Sequence, residues 1–238
     1  MPPLFFASRT WKGSRKISGQ IEKRRKTIMS RKTFQAIILI LSVVMFIVPS
    51  QASAKDKLTD KTVELRLALR SLWTGHIFWV RNVVLTTKYG DPDAAKVEEA
   101  QVVQNAKDLA NSIAPYYGKE AADKLFGLLA GHYGAIKEYM TATFSDNKEA
   151  KDAAAAKLKK NADEIATFLS SANPKYWLKE ALLSALVAHG GHHMADINEI
   201  NKKDFSAEAE TWNAMQNHIY VIADVLANGI VQQFPKKF

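Results

Sequence analysis

Six histidines and no cysteine give this 238-residue chain one clear chemical theme, imidazole without thiolate. His76 lies in LRSLWTGHIFWVRNVVL, His132 in KLFGLLAGHYGAIKEYM and His189 in ALLSALVAHGGHHMADI, each preceded by a small residue, Gly75, Gly131 or Ala188. The three recur at nearly constant spacing, the step from His132 to His189 being one position longer than that from His76 to His132. His189 and His193 are four apart, so on a helix they share a face and can chelate. His192 and Asp196 have the same spacing. Neutral imidazole is a common metal ligand, and a set of imidazoles without thiolates suits Zn, Cu, Ni or Fe. The candidate ligands are His76, His132, His189, His192, His193, His218 and Asp196, and Glu138 or Asp224 could also complete a shell.

A single inward histidine is ordinarily a core residue satisfied by local hydrogen bonds. Four on separate helices weigh differently, because bundle interiors are where facing helices assemble ligand sets. His76, His132, His189 and His218 each sit on the apolar stripe of their segment, with Leu69, Leu72, Val80 and Val83 at helical offsets from His76. Arg81 interrupts an apolar helix and calls for an acidic partner or an anion. Trp73, Phe78, Trp79, Tyr116, Tyr117, Trp177, Trp212 and Tyr220 would either line an apolar pocket or, as aromatics at helical spacing usually do, pack between helices. No phosphate-cradling glycine loop, nucleophile elbow, zincin or E-x-x-H di-iron motif occurs, so no catalytic motif supports an enzyme.

The elements that must position these residues are all helical. Breakers divide residues 55–238 into six segments. The first runs from Asp60, as cap, to Lys88. The second runs from Asp93 to Ala114, and the third from Lys119 to about Thr143. A capping box of Asp146 and Glu149 opens the fourth, which stops near Ala172. The fifth covers about Lys175–Ile200, and Ser206 caps a sixth that reaches Gln233. Short links favour antiparallel neighbours. The expected fold is therefore all-α, a six-helix bundle of three antiparallel hairpins with a repeat of about 56 residues. Asn105, Asn161 and Asn217 keep the same beat, evenly spaced along the chain. The two glycines of His189-Gly190-Gly191-His192-His193 cost a helix about 2 kcal/mol relative to alanine, which asks for close packing, a kink or ligand access.

Residues 1–54 have a different character. Arg31-Lys32, the apolar run Phe34–Val48, Pro49 and Ala52-Ser53-Ala54 have the three-part layout of a secretory signal peptide cleaved after Ala54. Met29 opens a leader of ordinary proportions, so residues 1–28 read as a mis-assigned upstream extension, 29–54 as the signal peptide and 55–238 as one domain. Ten of the 33 basic residues, but only Glu22 of the 24 acidic ones, lie in residues 1–54. Residues 55–238 carry 23 of each sign, which leaves no excess positive charge for a nucleic-acid partner. No integral membrane segment is expected after cleavage.

The L-W-x-x-H-x-x-W-x-R motif of Leu72–Arg81, the segments IAPYYGKEAADKLFGLLAGH and FLSSANPKYW, and the terminal Q-F-P-x-K-F resemble a family of small exported bacterial proteins. The resemblance spans about residues 65–238 and includes His76, His132 and His189. It implies export and a helical fold and leaves the activity open. The leading expectation is a non-enzymatic protein binding a metal ion or small ligand through inward histidines. The alternatives are a cell-surface structural or interaction module without a cofactor, and an envelope enzyme using a histidine general base.

Overall fold

The computed structural model describes residues 59–238, which fall within one compact unit. The leader assigned to 29–54 and the extension assigned to 1–28 lie outside the described residues. Six long helices and one short one make up the fold: α1 Asp60–Tyr89, α2 Pro92–Asn111, α3 Ala114–Tyr117, α4 Lys119–Phe144, α5 Lys148–Ala172, α6 Lys179–Lys202 and α7 Phe205–Gln233. A 3-10 turn, Pro235–Lys237, follows. No strand occurs among the described residues, and none of their helices is long and apolar enough to cross a membrane.

Several helix starts differ from those predicted, each because a neighbouring side chain reaches the free amides better. Thr59 caps α1 by accepting from the Thr62 amide, leaving Asp60 in the first turn. Asp91 caps α2, with Pro92 filling the first helical position, where a missing amide costs nothing. Asn147 caps α5, and Asp146 instead takes a left-handed φ of 53°, so the Asp146–Glu149 box does not form. Asp204, not Ser206, caps α7.

Two helices are also shorter than predicted. Pro115 has no amide hydrogen to offer the Asn111 carbonyl four residues before it and its ring crowds that carbonyl, so α2 ends at Asn111 and α3 turns the chain towards Gly118 at φ 86°. Helix α6 begins at Lys179 because residues 173–177 form a turn closed by the Trp177 amide on the Asn173 carbonyl, 2.9 Å. That turn drives the Trp177 indole into the core, where it fills the space a side chain at Gly229 would need.

Packing closes the helices into a ring. α1 packs on α2, α2 on α4, α4 on α5, α5 on α6, α6 on α7, and α7 back on α1, while α6 also touches α1 and α4. The helices thus close on one interior rather than stacking as an open solenoid. Successive long helices run in opposite senses. Leu69 and Leu109 join one apolar cluster while Val80 and Val102 join the other. The bonds Ala185 to His218 and Glu199 to Thr211 place α6 and α7 the same way.

The two apolar clusters explain where the site lies. One gathers Leu69, Trp73, Ile77, Leu129 and Leu186 with residues of α2, α5 and α7. The other gathers Val80, Val83, Ile136, Leu158 and Ile197. Histidines 76, 132, 189 and 193 fall in the chain between members of the two, so they form a polar layer between two hydrophobic ones. Their burial is enforced by apolar neighbours above and below on every helix, since removing those side chains from water is the dominant favourable term in folding.

Candidate metal centre

His76 comes from α1, His132 from α4, and His189 and His193 from α6. All four are between 1% and 5% exposed. One ring nitrogen from each lies within 4.8 Å of the others. The closest pair is His189 Nε2 and His193 Nε2 at 3.2 Å, set by their one-turn spacing on α6. His132 stacks on His189, 13° from parallel with centroids 5.6 Å apart, and His76 is tilted against both. Trp73 stands edge-on to His76 and His189 and walls the group on one side.

The rings are held neutral. Burial lowers His76 to about 3, helped by His132. Burial lowers His132 to about 4 against the opposing bond from Asn161. His189 and His193 fall well below the ordinary imidazole range, through burial and then through the other histidines. Neutral rings keep a lone pair, the form in which imidazole binds metal. Several of these nitrogens have no hydrogen-bond partner among the described residues: His76 Nε2, His132 Nε2 and His189 Nδ1. Buried polar atoms are seldom left so, and each one needs a physical account.

Asn161 orients one ligand. Its Oδ1 lies 3.2 Å from His132 Nδ1, which places the ring proton there and turns the Nε2 lone pair inward. Such an outer partner fixes the tautomer of a metal-ligating histidine. The same asparagine donates through Nδ2 to the Leu128 carbonyl, and Asn105 donates likewise to Leu72. Each acceptor lies about one helical turn before a core histidine, and Asn105 and Asn161 follow those histidines at an identical offset along the chain. Gly75 and Gly131 allow this approach: a β-carbon there would meet Asn105 Nδ2 at 3.0 Å or Asn161 Nδ2 at 3.3 Å.

In the third hairpin the equivalent residue is His218, not Asn217. His218 follows His189 at that same offset and bonds through Nε2 to the Ala185 carbonyl at 2.9 Å, while Asn217 is exposed. The predicted asparagine beat was therefore one position out of register. Asn161 as an orienting residue was also missed, although the histidine-to-asparagine offset it shares with Asn105 was visible in the sequence.

The remaining predicted ligands stand outside the four-histidine group. His192 and His218 face each other, half-buried, with ring centroids 5.4 Å apart. Burial, then His218, lowers His192 to about 4. Glu138 pairs with Lys157, and Asp224 receives two bonds from Arg70. Asp196 belongs to a second polar cluster. Arg81, the apolar helix's interruption, bonds Glu208 at 2.6 Å and lies over Trp212. Burial and the adjacent Glu208 carboxylate push Asp196 up to about 7, against the pull of Arg81.

The glycines of α6 serve different needs. A β-carbon at Gly190 would meet Leu158 at 3.0 Å, so its absence permits close packing on α5, whereas Gly191 has open space. Comparison with protein-family models, curated proteins and solved structures finds no match to the chain.

Proposed function

We propose that this chain is an exported, non-enzymatic metal-binding protein in which His76, His132, His189 and His193 hold one transition-metal ion. The single observation that carries this reading is the convergence of four buried imidazoles with ligand atoms inside 4.8 Å. Tetrahedral zinc with nitrogen ligands at about 2.0–2.1 Å needs nitrogens roughly 3.3 Å apart. The His189–His193 pair has that separation already, and the ligand atoms of the other two lie within 4.8 Å.

Zinc(II) is the preferred occupant among Zn, Cu, Ni and Fe. Four neutral nitrogens in a closed core suit a tetrahedral ion without geometric demands of its own, whereas Cu(II) and Ni(II) favour tetragonal shells. Ring centroids between 4.5 and 6.4 Å apart leave no slab for a porphyrin. A shell completed by four protein ligands lacks the open position that catalytic zinc keeps, which favours holding an ion over catalysis. Export rests on the layout of residues 29–54 and on the family resemblance, and predicts a secreted chain beginning at Lys55.

The test is elemental analysis of untagged protein dialysed against zinc, paired with thermal melting. Near-stoichiometric zinc and a raised melting temperature are expected, because a ligand that binds only the folded state stabilises it. Protein that retains no zinc and melts unchanged overturns the reading and leaves the histidines as packing residues.

A further inference from the structure

The core ligands are buried, so an ion must reach them through some part of the protein surface. His192 and His218 stand at the margin of that core. His192 adjoins His193 in sequence, and His218 approaches from α7 to within 5.4 Å of the His192 ring. Both are half-buried, unlike the four core rings, and so remain within reach of solvent.

The bond His218 makes also leaves it a usable lone pair. Its Nε2 donates to the Ala185 carbonyl, so in the neutral ring Nδ1 is the unprotonated nitrogen. The position itself does not require imidazole. Asn105 and Asn161 make the same inter-helix bond in the other two hairpins with an amide. A histidine here adds a metal-ligating capacity that the structural bond does not use.

Resting on the metal-binding reading above, we propose that His192 and His218 form an outer two-histidine station that takes up a transition-metal ion and passes it to His189 and His193. The ion exchanges ligands one at a time, with no change of oxidation state and no bond made or broken other than metal–nitrogen bonds. Passage needs α6 to yield locally. Gly190 and Gly191, lying between His189 and His192, make that segment the least helix-favouring part of α6.

The substitution His218→Asn is the informative variant, because it keeps the carbonyl bond that Asn105 and Asn161 make and removes only the imidazole. His192→Gln is its counterpart on α6. Full-length protein and both variants are mixed with cobalt(II), which reports coordination by its visible absorption, and are then challenged with EDTA. Both variants are expected to reach the same final spectrum and stoichiometry as the parent while loading and release slow together by tenfold or more. Unchanged rates in both variants overturn the station.

A second measurement separates this proposal from the core reading. With His132, His189 and His193 all changed to alanine, so that no pair of core ligands remains, the outer pair should still bind nickel(II) weakly, and His218→Asn in that background should abolish the binding. Absence of nickel binding before His218 is changed overturns the station even if the core binds zinc. A parent protein that takes up neither cobalt nor zinc at its core defeats the core reading by itself.

Discussion

Two buried polar clusters sit on the same pair of helices and solve the same problem in opposite ways. Arg81 on α1 and Asp196 on α6 belong to one, and His76 on α1 and His193 on α6 to the other. The first carries its own cation. The Arg81 guanidinium meets the Glu208 carboxylate, Trp212 covers its face, and Asp196 is held near neutrality beside them. The second has no internal cation and no acid in the four-membered group, only neutral imidazoles whose ring nitrogens converge within 4.8 Å, two of them 3.2 Å apart. A cluster that carries its own cation is charge-balanced within the fold, although Asp196 Oδ1 has no hydrogen-bond partner among the described residues, whereas converging neutral imidazoles can take a cation from outside.

The contrast is broken most strongly by removing ligands. Changing His76 and His189 together to alanine should take zinc content from near-stoichiometric to background, with helical circular dichroism retained. Retained stoichiometry in the double variant would sink the four-histidine site. Arg81→Met should do the reverse. Zinc content should persist, while chemical denaturation shows a loss of about 3 kcal/mol, because Glu208 is left buried without its partner. Adding Glu208→Gln should recover most of that loss.

Acid sharpens the comparison, because the two clusters respond with opposite sign. Unfolded histidines titrate near 6.5, whereas His76 and His132 hold out to about 3 and about 4. Their contribution to stability is complete above about 6.5 and is lost as pH falls towards those values, by at most about 1.4 kcal/mol per pH unit for each group. Asp196, raised to about 7, works the other way. Its contribution is present below the unfolded carboxyl value of about 3.9 and is lost as pH rises through 7. The metal-free melting temperature should therefore fall between pH 6.5 and 4, and more steeply in Asp196→Asn. A parallel pH profile in that variant would show that the carboxyl carries no such linkage.

Smaller effects distinguish the orienting residue from its structural counterpart. Asn161→Ala should weaken zinc binding by about 10–100-fold, the usual cost of losing an outer partner. Asn105→Ala should lose about 1 kcal/mol of stability through its missing hydrogen bond and leave affinity nearly unchanged. Asn217→Ala, at an exposed position, should stay within about 0.5 kcal/mol of the parent. A competition titration alongside denaturant melts reads all three.

Much of the fold was legible because it is locally encoded. Apolar residues at helical spacing around His76, His132 and His189 placed those histidines inward, and the breakers Gly90, Pro115 and Pro174 marked the links. Cap positions were less legible. Thr59, Asn147 and Asp204 compete with Asp60, Asp146 and Ser206 a residue or two away, and backbone geometry decides which oxygen reaches an amide. The register of the third hairpin misled for a related reason. Asn217 matches Asn161 in type, but the extra residue between His132 and His189 shifts the equivalent helical position to His218.

The sequence alone determined the helical class, the inward placement of the core histidines and the His189–His193 pair, because each depends on rotation about a single helix axis. Tertiary structure decided which of six histidines converge, since that depends on how the ring of helices closes. It brought Glu208 to Arg81 from a distant part of the chain and set Asn161 against His132. It also drew the line between the four buried rings and the half-buried pair of His192 and His218. Helix periodicity fixes the direction of a side chain on its own helix, but distances between helices are set by packing of side chains far apart in the chain.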